Sequence, residues 1–123
     1  MKRMITVVLA LTALSSFSAA AEERLSDSRY LAASRCLAYA DVAALETSPA
    51  DFASLRTATA AGYRDSAIVA RSQHEARNIR SRSESLAREG AQGVNLVRDR
   101  MDDACASFIQ QGLVRLETNT PAS

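Results

Sequence analysis

Several residue types that usually mark a function are rare or missing in this chain of 123 residues. It has no tryptophan, one histidine, two cysteines and two prolines, and aromatic residues make up only 5% of it. So few aromatic side chains give no basis for stacking on nucleic-acid bases. A zinc site needs three or four ligands, which no clustered histidines, cysteines or acids supply. We therefore expect no metal, no cofactor and no nucleic-acid partner.

Sequence motifs of catalysis are missing as well. There is no glycine-rich phosphate loop, no G-x-S-x-G, no C-x-x-C and no C-x-x-C-H. His74 and Glu75 are adjacent, so on a helix they point to different sides, and an exposed histidine is favoured over a general base or a metal ligand. Asp99, Asp102 and Asp103 lack a calcium-loop pattern and predict an exposed acidic face. We therefore expect that the protein is not an enzyme.

The first 21 residues have the layout of a secretory signal peptide. Lys2 and Arg3 precede an apolar stretch from Met4 to Leu14, and the segment ends in small residues at Ala21. The apolar stretch is about half the roughly 20 residues that a membrane-spanning helix needs, and no cysteine near Ala21 suggests a lipid anchor. We expect cleavage near Ala21 and a periplasmic or secreted product without a membrane anchor, rather than a cytosolic protein that keeps this helix.

Cleavage would also change the charge of the protein. Loss of Lys2 and Arg3 lowers the basic residues from 15 to 13, against 14 acidic residues, so the mature net charge is −1. A nearly neutral domain gives no electrostatic reason to bind nucleic acid or a membrane surface. Lys2 is the only lysine, so every basic residue of the mature chain is arginine. We interpret this as a compositional bias rather than as a sign of carboxylate or phosphate recognition.

The rest of the sequence predicts one all-α domain over residues 22–116, followed by a flexible tail over residues 117–123. Good helix formers dominate, and no long stretch alternates apolar and polar residues. We expect a small antiparallel bundle of three to four helices with one disulfide. The first helix is predicted from Ser26 to Glu46. Its broad buried face would carry Tyr30, Ala32, Ala33, Cys36, Leu37, Tyr39, Ala40, Ala43 and Ala44.

Clear boundary signals follow the first helix. Residues 48–51, Ser-Pro-Ala-Asp, predict a helix start with a hydroxyl cap, proline at the first helical position and an acid that reaches back to the cap. Phe52 and Leu55 would face inward, and Gly62 marks a break. Gly112 is predicted to end the last helix in the left-handed conformation.

The strongest helical pattern lies between residues 63 and 111, where there is no proline. One uncharged stripe advances by three or four residues at each step. Its members are Ile68, Ser72, Ala76, Ile79, Ser83, Leu86, Gly90, Val94, Val97, Met101, Ala104 and Phe108. One continuous helix would be roughly 70 Å long at 1.5 Å per residue. We favour two helices, about 63–89 and 94–111, that separate at the glycines of residues 90–93; the continuous helix is the alternative.

Cys36 and Cys105 are the only cysteines. In an oxidising compartment an isolated pair is most simply a disulfide, which would join the first helix to the last. Free thiols, or a redox or metal role, are the alternatives.

Five arginines in the third helical region form the candidate partner-binding face: Arg71, Arg77, Arg80, Arg82 and Arg88. Glu75, Glu84 and Glu89 are interleaved with them, and the order of Glu84 and Arg88 favours an ion pair. A solvated, salt-bridged face is therefore favoured over an anion or partner site, but this surface is the candidate if any surface binds an acidic partner. The sequence thus favours an exported, non-enzymatic interaction protein, such as a binding partner, inhibitor or chaperone-like factor of another envelope protein. The alternative is a carrier of a small ligand or metal with a pocket between its helices.

Overall fold

The computed structural model describes residues 24–116. The predicted signal peptide, its cleavage point near Ala21 and the predicted tail of residues 117–123 lie outside the described residues and stay predictions. Within residues 24–116 the chain forms four α-helices, one short 3-10 helix and no strand. The predicted all-α helical bundle is therefore confirmed.

Helix α1, Asp27–Ala40, begins where the sequence predicts but ends earlier. The hydroxyl of Ser26 caps its first turn by accepting a backbone N–H at 3.2 Å. The predicted end at Glu46 is wrong, because the carbonyl oxygen of the last helical residue accepts a hydrogen bond from the Thr47 hydroxyl at 2.7 Å. Val42 then adopts an extended backbone and is buried, with 1% of its surface exposed. An alanine-rich sequence alone does not reveal either contact.

The connection after α1 contains the 3-10 helix Ala43–Leu45. Leu45 is buried, whereas Ala43 and Ala44 are exposed. The predicted burial of these two alanines is wrong, because α1 has already ended and its spacing no longer applies. Glu46 follows in the left-handed conformation with φ 50° and closes the turn.

Helix α2, Pro49–Ala60, confirms the predicted start, and Phe52 and Leu55 are buried as predicted. The predicted side-chain cap is wrong, because the Ser48 hydroxyl makes no capping hydrogen bond. The backbone carbonyl of Ser48 instead accepts the N–H of Asp51 at 3.0 Å. Gly62, with φ 76°, lies in the break that follows α2, as predicted.

Two separate helices follow, α3 over Ser66–Ala87 and α4 over Ala91–Gln110. The favoured prediction of two helices is confirmed, and the alternative of one continuous helix is wrong. Helix α3 starts three residues later than predicted, because Asp65 Oδ1 accepts the N–H of Ala67 at 2.9 Å and caps it there. Helix α4 starts three residues earlier than predicted, directly after Gly90, whose φ of 115° completes the turn. Along the predicted uncharged stripe every residue except Gly90 is buried or half-buried.

The end of α4 has the predicted glycine cap. Gly112 has φ 77°, and the N–H of Leu113 donates to the carbonyl of Phe108 at 2.9 Å, as in a Schellman motif. The chain then returns toward α2, where the N–H of Arg115 donates to the carbonyl of Asp51 at 2.9 Å. This last segment closes one end of the bundle.

Contacts between side chains give the directions of the helices. Tyr30 meets Ser72, with 3.4 Å between their hydroxyl oxygens, and further along both helices an Arg35 nitrogen lies 3.1 Å from a Glu75 oxygen. Helices α1 and α3 therefore run in the same direction, and their contact is the most extensive in the bundle. The short turn at Gly90 reverses the chain, so α4 is antiparallel to both.

The disulfide between Cys36 and Cys105 is present, as predicted, and joins α1 to α4 with 4.9 Å between the Cα atoms. Both cysteines are completely buried in the core. Among the described residues no helix is both long enough and apolar enough to cross a membrane. The core around the disulfide consists of Ala33, Ala40, Val42, Leu45, Phe52, Leu55, Val97, Met101, Phe108 and Val114.

Candidate functional site

The five predicted arginines do not share one surface. A helix turns by about 100° per residue, and the buried side of α3 is marked by Ser72 and Ser83. At this pitch Arg77 and Arg88 lie on the opposite, outer side. Arg71 and Arg82 lie along one edge of the buried side, and Arg80 lies along the other. The structure thus distributes the candidate face over three sides of the helix.

Part of this positive charge is already paired. Glu75 accepts from Arg71 at 3.2 Å and from Arg35 of α1 at 3.1 Å, so the carboxylate links two helices. Asp41 is shared in the same way by Arg56 at 2.7 Å and Arg80 at 3.8 Å. Exposed pairs of this kind contribute about 0–1 kcal/mol each.

The remaining arginines of the set have no carboxylate partner among residues 24–116. Arg88 bonds to the Ser85 hydroxyl at 3.2 Å, so the expected pair with Glu84 is not formed. Arg77 and Arg82 form no ion pair with another described residue.

His74 is exposed, as predicted, and its Nε2 lies 3.3 Å from the amide nitrogen of Asn78. Asp99, Asp102 and Asp103 are also exposed. Among the described residues no three or more histidines, cysteines and acids are grouped so that they could hold a metal ion.

A cleft of about 710 Å³ opens beside Asp102. One wall comes from the 3-10 helix and the start of α2, the other from one side of α4, and Leu116 lies at the end formed by the last described segment. Its lining residues are Leu45, Glu46, Thr47, Ser48, Asp51, Arg98, Met101, Asp102, Ala106, Ile109, Gln110 and Leu116. We call this the α4 cleft.

The α4 cleft combines an apolar floor with a charged rim. Leu45 and Met101 are buried core residues that also line the cleft, and Ile109 and Leu116 are half-buried. The rim carries three carboxylates and one guanidinium, and none of the four forms an ion pair with another residue of the described part. These charged residues are Glu46, Asp51, Asp102 and Arg98.

Some of the residues that line this cleft have conformations or environments that cost free energy. Glu46 is the only non-glycine residue with positive φ in the described chain, and its φ is 50°. That conformation costs a non-glycine residue about 1–2 kcal/mol. Asp102 is exposed but partly shielded from water, and this partial desolvation raises the pKa of its carboxyl group; the nearby Asp99 carboxylate raises the pKa further, while Arg98 lowers it and Asp103 raises it. The Ser48 hydroxyl, which also lines the cleft, leaves its helix start without a side-chain cap.

The sequence predicts Asp102 only as part of an exposed acidic face and does not by itself predict the cleft. The lining residues 45–51 are far in sequence from the lining residues of α4 and Leu116, and the helical pattern places Glu46 in the first helix. A partial signal is present in α4, where Arg98, Asp102 and Ile109 form a second stripe beside the core stripe.

No protein-family model matches the chain, and no curated protein and no solved structure is significantly similar to it. Residues 24–116 form a disulfide-linked bundle of four α-helices with a charged cleft that has an apolar floor.

Proposed function

We propose that the protein is an exported, non-enzymatic binding protein whose partner is another envelope protein, and that the α4 cleft is its binding surface. The predicted signal peptide and the buried disulfide support export, since disulfides persist mainly in oxidising compartments. A periplasmic or secreted location belongs to this proposal.

The observation that carries the proposal is the concentration of unfavourable features at one place. A left-handed glutamate and a carboxyl group with a raised pKa both line the α4 cleft. Strained backbone and perturbed titration cluster at functional sites, because selection for stability alone would remove them.

The chemistry of the cleft favours binding over catalysis. Its two hydroxyl groups belong to Thr47 and Ser48, and the Thr47 hydroxyl already donates to a backbone carbonyl. The only histidine, His74, is on α3, which does not line the cleft. A serine or threonine nucleophile needs an adjacent base, and the cleft offers these hydroxyls no histidine.

A pair of matched substitutions tests the proposal. Ala106 and Ala70 are both exposed helical residues, but only Ala106 lines the cleft. Ala106→Trp fills the cleft, whereas Ala70→Trp places the same bulk on the outer side of α3, near Arg77. The mature protein and both variants are used to capture partners from an envelope extract, and the captured proteins are identified by mass spectrometry.

We expect one captured protein to be lost with Ala106→Trp and retained with Ala70→Trp. Loss with Ala70→Trp alone would contradict the proposal and assign binding to the outer arginines. Capture of the same proteins by all three forms would show that the cleft is not used.

The volume of the α4 cleft also favours a second candidate function. About 710 Å³ falls within the range of roughly 300–1,000 Å³ that is typical of small-molecule sites. A carrier of a small ligand would retain that ligand through gentle purification, so native mass spectrometry would show a mass above the polypeptide. The bare polypeptide mass alone would count against this candidate.

A further inference from the structure

The charge of the α4 cleft restricts the chemistry of its partner. Three carboxylates and one guanidinium line the cleft together with apolar residues, so the lining has an excess of two negative charges at neutral pH. This excess is local, because the mature chain as a whole has a net charge of only −1.

The carboxylates are on both walls. Glu46 and Asp51 belong to the wall formed by the 3-10 helix and α2, and Asp102 belongs to the wall formed by α4. Leu45 and Met101, one from each wall, also line the cleft and are buried. An occupant that matches this arrangement has an apolar group for the floor and cationic groups that can reach either wall.

The wall of α2 is held in place by the end of the chain. The carbonyl of Asp51 accepts the N–H of Arg115, and Val114 beside it is 2% exposed. The spacing between the two walls is therefore set by packed backbone rather than by the rim side chains. A preformed cleft of this kind binds an extended segment with little reorganisation of its own.

We propose that the α4 cleft binds a basic amphipathic segment of the partner protein, an inference that rests on the function proposed above. An apolar side chain of that segment packs on Ile109 and Leu116, the half-buried apolar residues of the lining. Its lysine or arginine side chains pair with Asp102 on one wall and with Glu46 and Asp51 on the other. Arg98 restricts the positions that a cation can take along α4, because like charges repel.

The test measures fluorescence anisotropy of a labelled peptide of leucine and lysine residues added to the oxidised mature protein. The matched peptide has glutamate in place of lysine. Asp102→Asn removes one rim charge, and Asp103→Asn is the control, because it removes the same charge from the same helix outside the cleft lining. Octylamine, a small cation with an apolar chain, is the third probe.

We expect the lysine peptide to bind and the glutamate peptide not to bind. Asp102→Asn should weaken binding about tenfold, the size expected for one charge-assisted contact, whereas Asp103→Asn should change it less than about twofold. Equal losses in the two variants would contradict the inference, because they would show attraction by overall charge rather than binding in the cleft. Octylamine binding as tightly as the lysine peptide would also contradict it and favour a small cationic ligand.

The capture experiment separates this inference from the function on which it rests. If Ala106→Trp abolishes capture of a protein but no lysine peptide binds, the basic segment is wrong and the binding function stands. If neither capture nor peptide binding depends on the cleft, both are wrong.

Discussion

At the scale of single residues, arginine performs structural tasks that lysine could not perform. Arg64 is buried, with 8% of its surface exposed. One guanidinium nitrogen donates to Asp27 at 2.8 Å, a second donates to the carbonyl of Leu25 at 2.8 Å, and the group lies 4.1 Å from the centre of the Tyr30 ring. A planar guanidinium can make these contacts together, whereas an ammonium group cannot. Compositional bias is therefore not a complete account of the arginine content.

Arg64→Lys should lower the free energy of unfolding by about 1–2 kcal/mol, because one hydrogen bond to a charged group and the stacking on Tyr30 are lost. Arg77→Lys is the matched control, since Arg77 is exposed and has no ion partner among residues 24–116. Urea unfolding of the two variants measures the difference. Equal stabilities would contradict the structural role of Arg64.

Asp102 should make the protein less stable at neutral pH than an uncharged residue would. Partial desolvation of this exposed side chain, followed in size by the repulsion from Asp99, raises the pKa of the carboxyl group in the folded protein, so folding disfavours its charged form. The charged Asp102 carboxylate destabilises the folded protein at a pH above its folded-state pKa. This effect declines as the pH falls through the folded-state pKa, and it is absent below the pKa of the unfolded chain, about 3.9.

Asp102→Asn should therefore raise the urea midpoint at pH 7, and its advantage over the parent protein should shrink as the pH is lowered into the acid range. Urea unfolding of both proteins across this range measures the trend. A variant that is less stable than the parent at pH 7 would contradict this account of Asp102.

At the scale of elements, the turn between α3 and α4 requires a glycine inside a helix. Gly93 has ordinary helical geometry, but a Cβ atom built on it would lie 1.8 Å from the carbonyl oxygen of Leu86. The start of α4 thus passes directly over the end of α3. Helix propensity alone favours alanine over glycine by about 0.5–1 kcal/mol.

Gly93→Ala should lower the free energy of unfolding by more than about 2 kcal/mol, because the backbone of Leu86 must move. Helix propensity alone would predict that this substitution raises the free energy of unfolding. Gly112→Ala is the comparison, since open space surrounds that position and only its φ of 77° is unfavourable. Its cost should be about 1 kcal/mol. A stabilised Gly93→Ala variant in thermal unfolding would contradict the close approach of the two helices.

The boundaries of the elements show which signals in the sequence were sufficient. Pro49, Gly62 and Gly112 each act through their own backbone, so their positions predicted a helix start, a break and a cap correctly. The end of α1 depends on a hydrogen bond from Thr47 and on the burial of Val42, which are tertiary contacts. Helix propensity carries no information about such contacts, so the first helix was predicted too long.

At the scale of the whole molecule, the disulfide joins elements that are far apart in the sequence. Cys36 and Cys105 are separated by 69 positions, and both lie in the centre of a small core. Closing a loop of this length restricts the unfolded chain, which the chain-entropy treatment values at about 4 kcal/mol. That is a large share of the stability of a small domain.

Replacing both cysteines with serine should lower the free energy of unfolding by about 3–4 kcal/mol in urea titrations. Reduction of the parent protein is the control, because it removes the same bond without changing a side chain's size. The intact mass of the protein isolated from cells should lie two hydrogen masses below the reduced value. A free-thiol mass would contradict the disulfide in its native compartment.

The fold and the α4 cleft differ in how far the sequence could predict them. Helix type and the cysteine pair follow from local spacing and residue chemistry, and both were predicted. The cleft depends on where the 3-10 helix, α2 and the end of the chain lie against α4. No local sequence pattern predicts that arrangement. The five arginines of the candidate partner-binding face are spread over three sides of α3.

The most direct test of the proposed binding function is photo-crosslinking in living cells with a light-activated amino acid at position 106 or position 70. The account predicts a crosslinked adduct with one envelope protein from position 106, inside the α4 cleft, and none with that protein from position 70, on the outer side of α3. An adduct from position 70 alone, or no adduct from position 106, would contradict it.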